Sequence, residues 1–231
     1  MKKFIILIPI YNDWKSVFQL LENIDLQIAK WDAEVLVLII NDGSTEERTV
    51  TELSFKNIKT VRVMNMKQNR GHARCNAAGL KYLTEKEDFD YVILMDGDGE
   101  DRPEELTSLF NKSKENPLKT VTANRIKRSE GSFFKLLYEC HKILTYVFTG
   151  KLIKFGNYSC LPKEDAARLV KEACIWSSFS GSVTKIISDR VSVPSIRGKR
   201  YFGPSQMNFF KLLVHSFSII AVFKGSVIVR S

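Results

Sequence analysis

The phasing of apolar and polar residues along the 231-residue chain predicts its elements. Phe4–Ile10 is a continuous apolar, β-branched run, the pattern of a strand buried on both faces. Trp14–Ala29 follows with helical spacing, in which Val17, Leu20, Leu21, Ile24 and Ile28 share a face. Glu34–Ile40, Ile58–Met64 and Tyr91–Met95 are further strands, and Gly71–Leu83 is a helix with Ala73, Ala77 and Ala78 on one side. Pro103 fits the first turn of a helix over Glu104–Ser113, and Thr120–Ala123 is another short strand. Past residue 124 the pattern changes. Ser132–Thr149 predicts an aromatic-rich helix, Phe155–Leu161 a strand, Lys163–Ala173 a helix and Val191–Ile196 a strand that runs into the basic loop Arg197–Arg200. The tail, Gln206–Val229, is mostly apolar.

Strand–helix alternation at this spacing predicts an α/β fold with a mostly parallel sheet covered by helices on both faces. Ligands of such sheets bind beyond the carboxyl ends of the strands. Pro9-Ile10-Tyr11-Asn12, Asn41-Asp42-Gly43 and Asp96-Gly97-Asp98 all fall at strand carboxyl ends, so one sheet edge is the predicted site.

A hydrophobic content of 44% supports a sizeable core and argues against disorder. The net charge of +9 is uneven: residues 1–119 carry 17 Lys+Arg against 20 Asp+Glu, whereas residues 120–231 carry 18 against 6. The second half therefore faces something anionic, for which nucleic acid, phospholipid headgroups and a phosphorylated substrate all qualify. No nucleic-acid-binding motif is present. Cys75, Cys140, Cys160 and Cys174 have irregular spacing and form no C-x-x-C pair, which reads as reduced thiols. The opening MKKFIILIPIYND superficially resembles a signal peptide, but Pro9, Asn12 and Asp13 stand where a small-residue cleavage site belongs, and a first strand fits better. No run of about 20 apolar residues predicts a spanning helix.

Asp96-Gly97-Asp98-Gly99-Glu100-Asp101 is the strongest chemical signal. Carboxylates at i and i+2 beyond a buried strand can share a hard cation, Mg²⁺ or Mn²⁺, which leaves positions for substrate phosphates. A solvated acidic turn is the plainer alternative. Asp42 can accept hydrogen bonds from a base or ribose, or simply shape its turn. Tyr11 can stack on a base or pack structurally. Gly71 at a helix start, with Arg74 one turn in, can hold an anion or merely allow close packing. Arg125, Lys127, Arg128, Lys199 and Arg200 form basic loops that reach a phosphate or only solvent. His72, His141 and His215 share no metal spacing and read as solvated or hydrogen-bonded. Phe209, Phe210, Leu213, Phe217 and Ile220, with Lys211, His215 and Ser218 on a narrower polar side, describe a helix lying in a membrane interface or packing on the core.

In their order along the chain, Pro9-Ile10-Tyr11-Asn12, Asn41-Asp42-Gly43-Ser44, Asn69-Arg70-Gly71 with Arg74 and Asn76, and Met95-Asp96-Gly97-Asp98 resemble the family 2 glycosyltransferases, which have the GT-A fold. Glu100-Asp101-Arg102-Pro103-Glu104-Glu105-Leu106 is similar to a segment of the dolichyl-phosphate mannose synthase and polyisoprenyl-phosphate glycosyltransferase branch. The resemblance implies a catalytic domain over residues 1–203, with a nucleotide-sugar half (1–124) and an acceptor half (125–203), followed by an amphipathic interfacial tail (204–231). It implies that Pro9, Tyr11, Asn12, Asp13, Asp42, Gly71, Arg74, Asp96 and Gly97 hold the nucleotide. Asp96, Asp98 and Glu100 surround Mg²⁺ or Mn²⁺. Arg125, Arg128, Lys199, Arg200 and Ser205 face an acceptor phosphate. Asp98, Asp101 and Arg125 are the catalytic candidates, Asp101 serving as base only if the acceptor is a hydroxyl.

The implied reaction is inverting transfer from a UDP- or GDP-sugar to a polyprenyl phosphate at the cytoplasmic face of a membrane, with a homo-oligomer left open. The chain departs from the branch at Asp13 (usually Glu), Glu100 (usually Gln) and Asn157 (usually Asp). Two alternatives stand beside this reading: a hydroxyl-directed transferase building surface polysaccharide or glycoconjugate, and a non-enzymatic membrane-surface adaptor.

Overall fold

The computed structural model describes residues 1–46, 54–127, 143, 145–204 and 209–223. Seven strands form one sheet: β1 (Lys2–Ile10), β2 (Ala33–Asn41), β3 (Ile58–Asn65), β4 (Tyr91–Leu94), β5 (Thr120–Lys127), β6 (Ser159–Pro162) and β7 (Arg190–Ile196). Their spatial order is β3-β2-β1-β4-β6-β5-β7. The labelled helices are α1 (Trp14–Gln27), α2 (His72–Lys86), α3 (Leu106–Glu115), α4 (Lys163–Leu169), α5 (Phe179–Ile186) and α6 (Phe209–Val222).

The unbroken apolar runs make sense once the two faces of the sheet are separated. Successive strand side chains point to opposite faces. Phe4, Ile6, Ile8 and Ile10 of β1 join Val17, Leu20 and Ile24 of α1 and Leu106 and Leu109 of α3 in one core. Ile5 and Leu7 join Leu80 and Leu83 of α2, Leu169 of α4 and Val183 of α5 in the other. Each fully buried Ile or Leu contributes about 1.5–3 kcal/mol, so a central strand buried on both sides is what the sheet is assembled around. The apolar start of the chain is this strand.

β1 pairs in parallel with β2 and β4, β2 with β3, and β5 with β7. β6 is the exception to the predicted parallel pattern, running antiparallel to both β4 and β5. The consequence is functional. The carboxyl ends of β1, β2, β4, β5 and β7 lie at one edge, and β6 brings its amino end there, placing Gly156 and Asn157 beside them.

Helix α5 falls in a stretch, residues 174–190, for which the sequence pattern predicted no element. The predicted strand over Phe155–Leu161 is shorter and later, Ser159–Pro162. Most of the predicted helix over Ser132–Thr149 lies outside the described residues, although residues 145–149 are helical. Cys75, Cys160 and Cys174 are free thiols, as expected, and Cys140 lies outside the described residues.

The tail helix α6 packs on the domain through Ile219, Val222 and the following Phe223, and Lys185 Nζ donates to Val222 O at 3.1 Å. Val214 and Phe217 remain more than 60% exposed. Among the described residues no helix is long and apolar enough to cross a membrane.

Candidate active site

The loops after β1 and β2 hold each other in place. Asn12 has a positive φ of 50°. Its backbone N–H donates to Ser44 Oγ at 2.9 Å, and its Oδ1 accepts from Thr45 N at 2.8 Å and Glu46 N at 3.2 Å. This polar staple spends the Asn12 side chain on the loop, while Pro9, Tyr11 and Asp13 on either side line a pocket of about 380 Å³. Asp42 is 4% exposed at the wall of the same pocket. Its two carboxylate oxygens accept from Arg70 N and Gly71 N, each at 2.8 Å, so it also fixes the entrance to α2. Burial, with a hydrogen bond to Asp42, pushes the Cys75 thiol far up, which makes it a neutral donor and not a nucleophile.

After β4 the chain makes the acidic turn. A Cβ on Gly97 would meet Ile10 Cγ2 at 2.7 Å, so glycine lets the turn lie against β1. Gly99 has φ +86°, and a Cβ there would run into the Tyr201 ring. Asp101, 3% exposed, folds back behind the turn: its Oδ2 accepts from Asp96 N at 3.0 Å and its Oδ1 lies 3.5 Å from Arg125 Nη2. Burial and the Asp96 carboxylate raise Asp101 to about 7. Asp98 is raised to about 6 by burial and by its neighbours Asp96 and Glu100. Asp96 moves the other way. Burial would raise it, but His72, Arg125 and the Asn157 amide outweigh burial and hold it well below the usual range.

Cations from the second half meet these carboxylates. Arg200 pairs with Asp98 Oδ2 at 2.9 Å and also with Asp13. Arg197 pairs with Glu100. His72 Nε2 and Asn157 Nδ2 each lie 3.0 Å from Asp96 Oδ1. Partial desolvation tends to lower His72, whose side chain keeps 43% of its surface exposed, yet Asp96 and the carboxylates behind it raise it above its ordinary value. The first turn of α5, Ser177 to Ser180, and His215 of α6 complete the pocket wall.

Residues 5–175 match the family model described as glycosyl transferase family 2. The chain belongs to that family. Two curated relatives are the undecaprenyl-phosphate 4-deoxy-4-formamido-L-arabinose transferases of two Klebsiella pneumoniae strains. Each is 27% identical over 218 residues, covering 92% of this chain and 64% of the relative. The chain thus spans a little under two thirds of the length of these relatives. Among solved structures, glucosyl-3-phosphoglycerate synthase from Mycobacterium tuberculosis, in complex with Mn²⁺, UDP-glucose and phosphoglyceric acid, is similar with a TM-score of 0.66 and 13% identity, covering 98% of this chain and 80% of that one. The same enzyme with Mn²⁺, UDP and glucosyl-3-phosphoglycerate has a TM-score of 0.64 at 14% identity, with the same coverage. These likenesses establish a GT-A fold.

In this family 2 glycosyltransferase the pocket gathers Pro9, Tyr11, Asp13, Asp42, Asp96, Gly97, Asp98, Glu100, Arg125 and Arg200, all expected from the sequence. Several expected residues stand elsewhere. Asn12 is committed to its loop. Gly71 donates its N–H to Asp42 and does not line the pocket. Arg74 turns to the surface, where its guanidinium donates to Arg70 O at 3.0 Å; on a helix starting at His72, position 74 points away from the cavity. Lys199 is exposed, because the main chain of its neighbours is tied to the acidic turn and its own side chain points outward. Asp101 is a buried support and does not face the pocket as a base would. Glu100 lines the cavity, but its carboxylate is taken by Arg197. Arg128 and Ser205 lie outside the described residues. Sequence reasoning did not assign His72, read there as solvated or hydrogen-bonded, to the site, nor Asn157, Arg197 and the start of α5. For α5 a signal existed: Ser178 stands directly before Phe179, with Val183 four residues on, which is an N-cap ahead of an apolar helical pair.

Proposed function

We propose that the chain transfers a sugar, with inversion, from a UDP- or GDP-sugar to a polyprenyl phosphate at a cytoplasmic membrane surface. The observation that carries this reading is that the Asp96 and Asp98 carboxylates open into the same cavity as Tyr11 and Asp42. A cavity of this size is at the lower end of small-molecule sites.

The donor set suits a hard cation. Among the described residues no group of three or more His, Cys, Asp or Glu side chains forms a ready metal cage. Two carboxylates completed by substrate oxygens match how Mg²⁺ and Mn²⁺ are bound beside phosphates. Four clustered carboxylates, two of them pushed up towards neutral pH, also leave negative charge that a cation would relieve. When bound, the cation neutralises charge developing on the leaving diphosphate. Asp96 and Asp98 would hold it, and Tyr11, Asp13 and Asp42 would hold the nucleoside.

A phosphate oxygen of the acceptor forms the new bond to the anomeric carbon as the bond to the diphosphate breaks, and the nucleoside diphosphate leaves with the electron pair. That oxygen is already anionic, so no general base is required, and positioning suffices. The burial of Asp101 favours this over the hydroxyl-directed alternative. The exposed Val214 and Phe217 on α6, with the basic second half, support membrane contact; the catalytic domain over residues 1–203 and the interfacial role of residues 204–231 are part of the proposal.

The test is thermal stabilisation by a panel of UDP- and GDP-sugars with and without Mg²⁺ or Mn²⁺, then transfer of labelled sugar to polyprenyl monophosphate or to a saccharide. One nucleotide sugar at 100 times its Kd should stabilise by about 2.7 kcal/mol, only with the cation. Label should enter the lipid phosphate. Stabilisation by no nucleotide sugar, with either cation, would refute the reading.

A further inference from the structure

Of the cations expected to receive the acceptor, the two that line the cavity are already engaged, Arg125 against Asp101 and Arg200 against Asp98 and Asp13, and the neighbouring Arg197 is taken by Glu100. The first turn of α5, which lines the same cavity, has donors to spare. Ser178 is the N-cap, its Oγ accepting from Gly181 N at 3.2 Å and its carbonyl from Ser182 N at 3.0 Å and Ser182 Oγ at 2.7 Å. That leaves the Phe179 and Ser180 N–H groups with no protein acceptor among the described residues. Ser180 is 5% exposed, lines the cavity, and its hydroxyl makes no hydrogen bond to any described residue. Ser177 to Ser182 contains no carboxylate, so this turn offers donors without a competing negative charge. A helix start of this kind favours an anion.

The neighbouring helix suits a lipid. α6 lies on α5, and a Cβ on Gly181 would meet Val222 Cγ2 at 3.2 Å. Its His215 lines the same cavity, between the exposed Val214 and Phe217.

We infer that the first turn of α5, through the Phe179 and Ser180 N–H groups and Ser180 Oγ, is the cradle for the acceptor's phosphomonoester, whose apolar chain leaves along Val214 and Phe217. This rests on the phosphate-acceptor reading above. It moves the acceptor phosphate away from Arg200 and leaves the acidic turn to the donor's diphosphate.

The test follows the Phe179 and Ser180 amide resonances of the ¹⁵N-labelled full chain. It is titrated separately with inorganic phosphate, with a short-chain polyprenyl monophosphate in micelles, and with nucleotide sugar plus Mg²⁺. Both phosphates should shift the two amides, the lipid at lower concentration. Ser180→Asp should weaken the lipid phosphate at least tenfold, and Ser180→Ala, which keeps the volume of the turn, about threefold to tenfold. Donor affinity should be unchanged in Ser180→Ala. The inference is overturned if neither phosphate shifts these amides, if phosphate shifts only Arg125 and Arg200, or if nucleotide sugar is what moves Phe179 and Ser180. A chain that binds phosphate here but no nucleotide sugar keeps the cradle and refutes the transferase reading instead.

Discussion

The two walls of the pocket are built by opposite means. The wall from the first half is fixed by backbone donors acting on carboxylates and amides: Asp42 takes two N–H groups, Asn12 two, and Asp101 one. The wall from the second half meets it through side-chain charge, with Arg197, Arg200 and Arg125 each facing a first-half carboxylate. One wall is therefore closed by hydrogen bonds within the first half of the chain. The other depends on a partner across the cavity, and a ligand carrying charge of either sign can compete for those partnerships.

The largest effect should come from removing a carboxylate that faces the cavity. Asp98→Ala should lower transfer by about 100-fold or more, the scale for losing one group that stabilises transition-state charge, as read by turnover with saturating nucleotide sugar and Mn²⁺. A variant that stays active and metal-dependent would show that the first wall does not hold the cation.

Next, Arg200→Ala leaves Asp98 and Asp13 facing each other across a largely buried gap. Breaking such a pair by removing one partner should cost about 3 kcal/mol, seen by denaturant unfolding in metal-free buffer. Mg²⁺ or Mn²⁺ should restore part of that loss in the variant and stabilise the parent less. Equal metal responses would mean that Arg200 and the cation do not share Asp98.

The smallest effect probes the backbone-held type away from the cavity. Asp25, 9% exposed, accepts from Lys56 N, Asn57 N and Ile58 N at 2.8–3.1 Å. Burial pushes its carboxyl up, but the three N–H groups outweigh burial and hold it below the ordinary value. A carboxyl lowered on folding stabilises fully above its unfolded value, near 4, and that stability is lost as pH falls through the folded value. Asp25→Asn should therefore cost about 1–2 kcal/mol at pH 7. The gap in Tm from the parent should narrow below about pH 4; a gap constant with pH would refute the charge argument.

The placement of the first wall's residues was legible in the sequence because the end of a buried strand is a local signal. A buried strand that stops at Ile10, Asn41 or Leu94 delivers the next few residues to the sheet edge whatever happens elsewhere. The second wall was only partly legible. Arg125 and Arg200 could be named from clustered basic residues, but Arg125 stands on β5 and not in the predicted loop, and the partners of both depend on β6 running antiparallel and on the return of β7, which no periodicity encodes. The short, serine-rich α5 has too few turns to show a helical phase. Asp101 and Arg74 misled for a shared reason: residue type and spacing reveal a charge's presence, not which way it faces.

The segment after β7 is bound to the acidic turn along its main chain, Gly198 N donating to Glu100 O at 2.8 Å and Tyr201 N to Asp98 O at 2.9 Å. Tyr201 also holds α1, its hydroxyl accepting from Asn23 Nδ2 at 2.9 Å. Tyr201 thus couples the aspartates to the outer helix α1, so a shift of α1 would be transmitted to the geometry of the acidic turn.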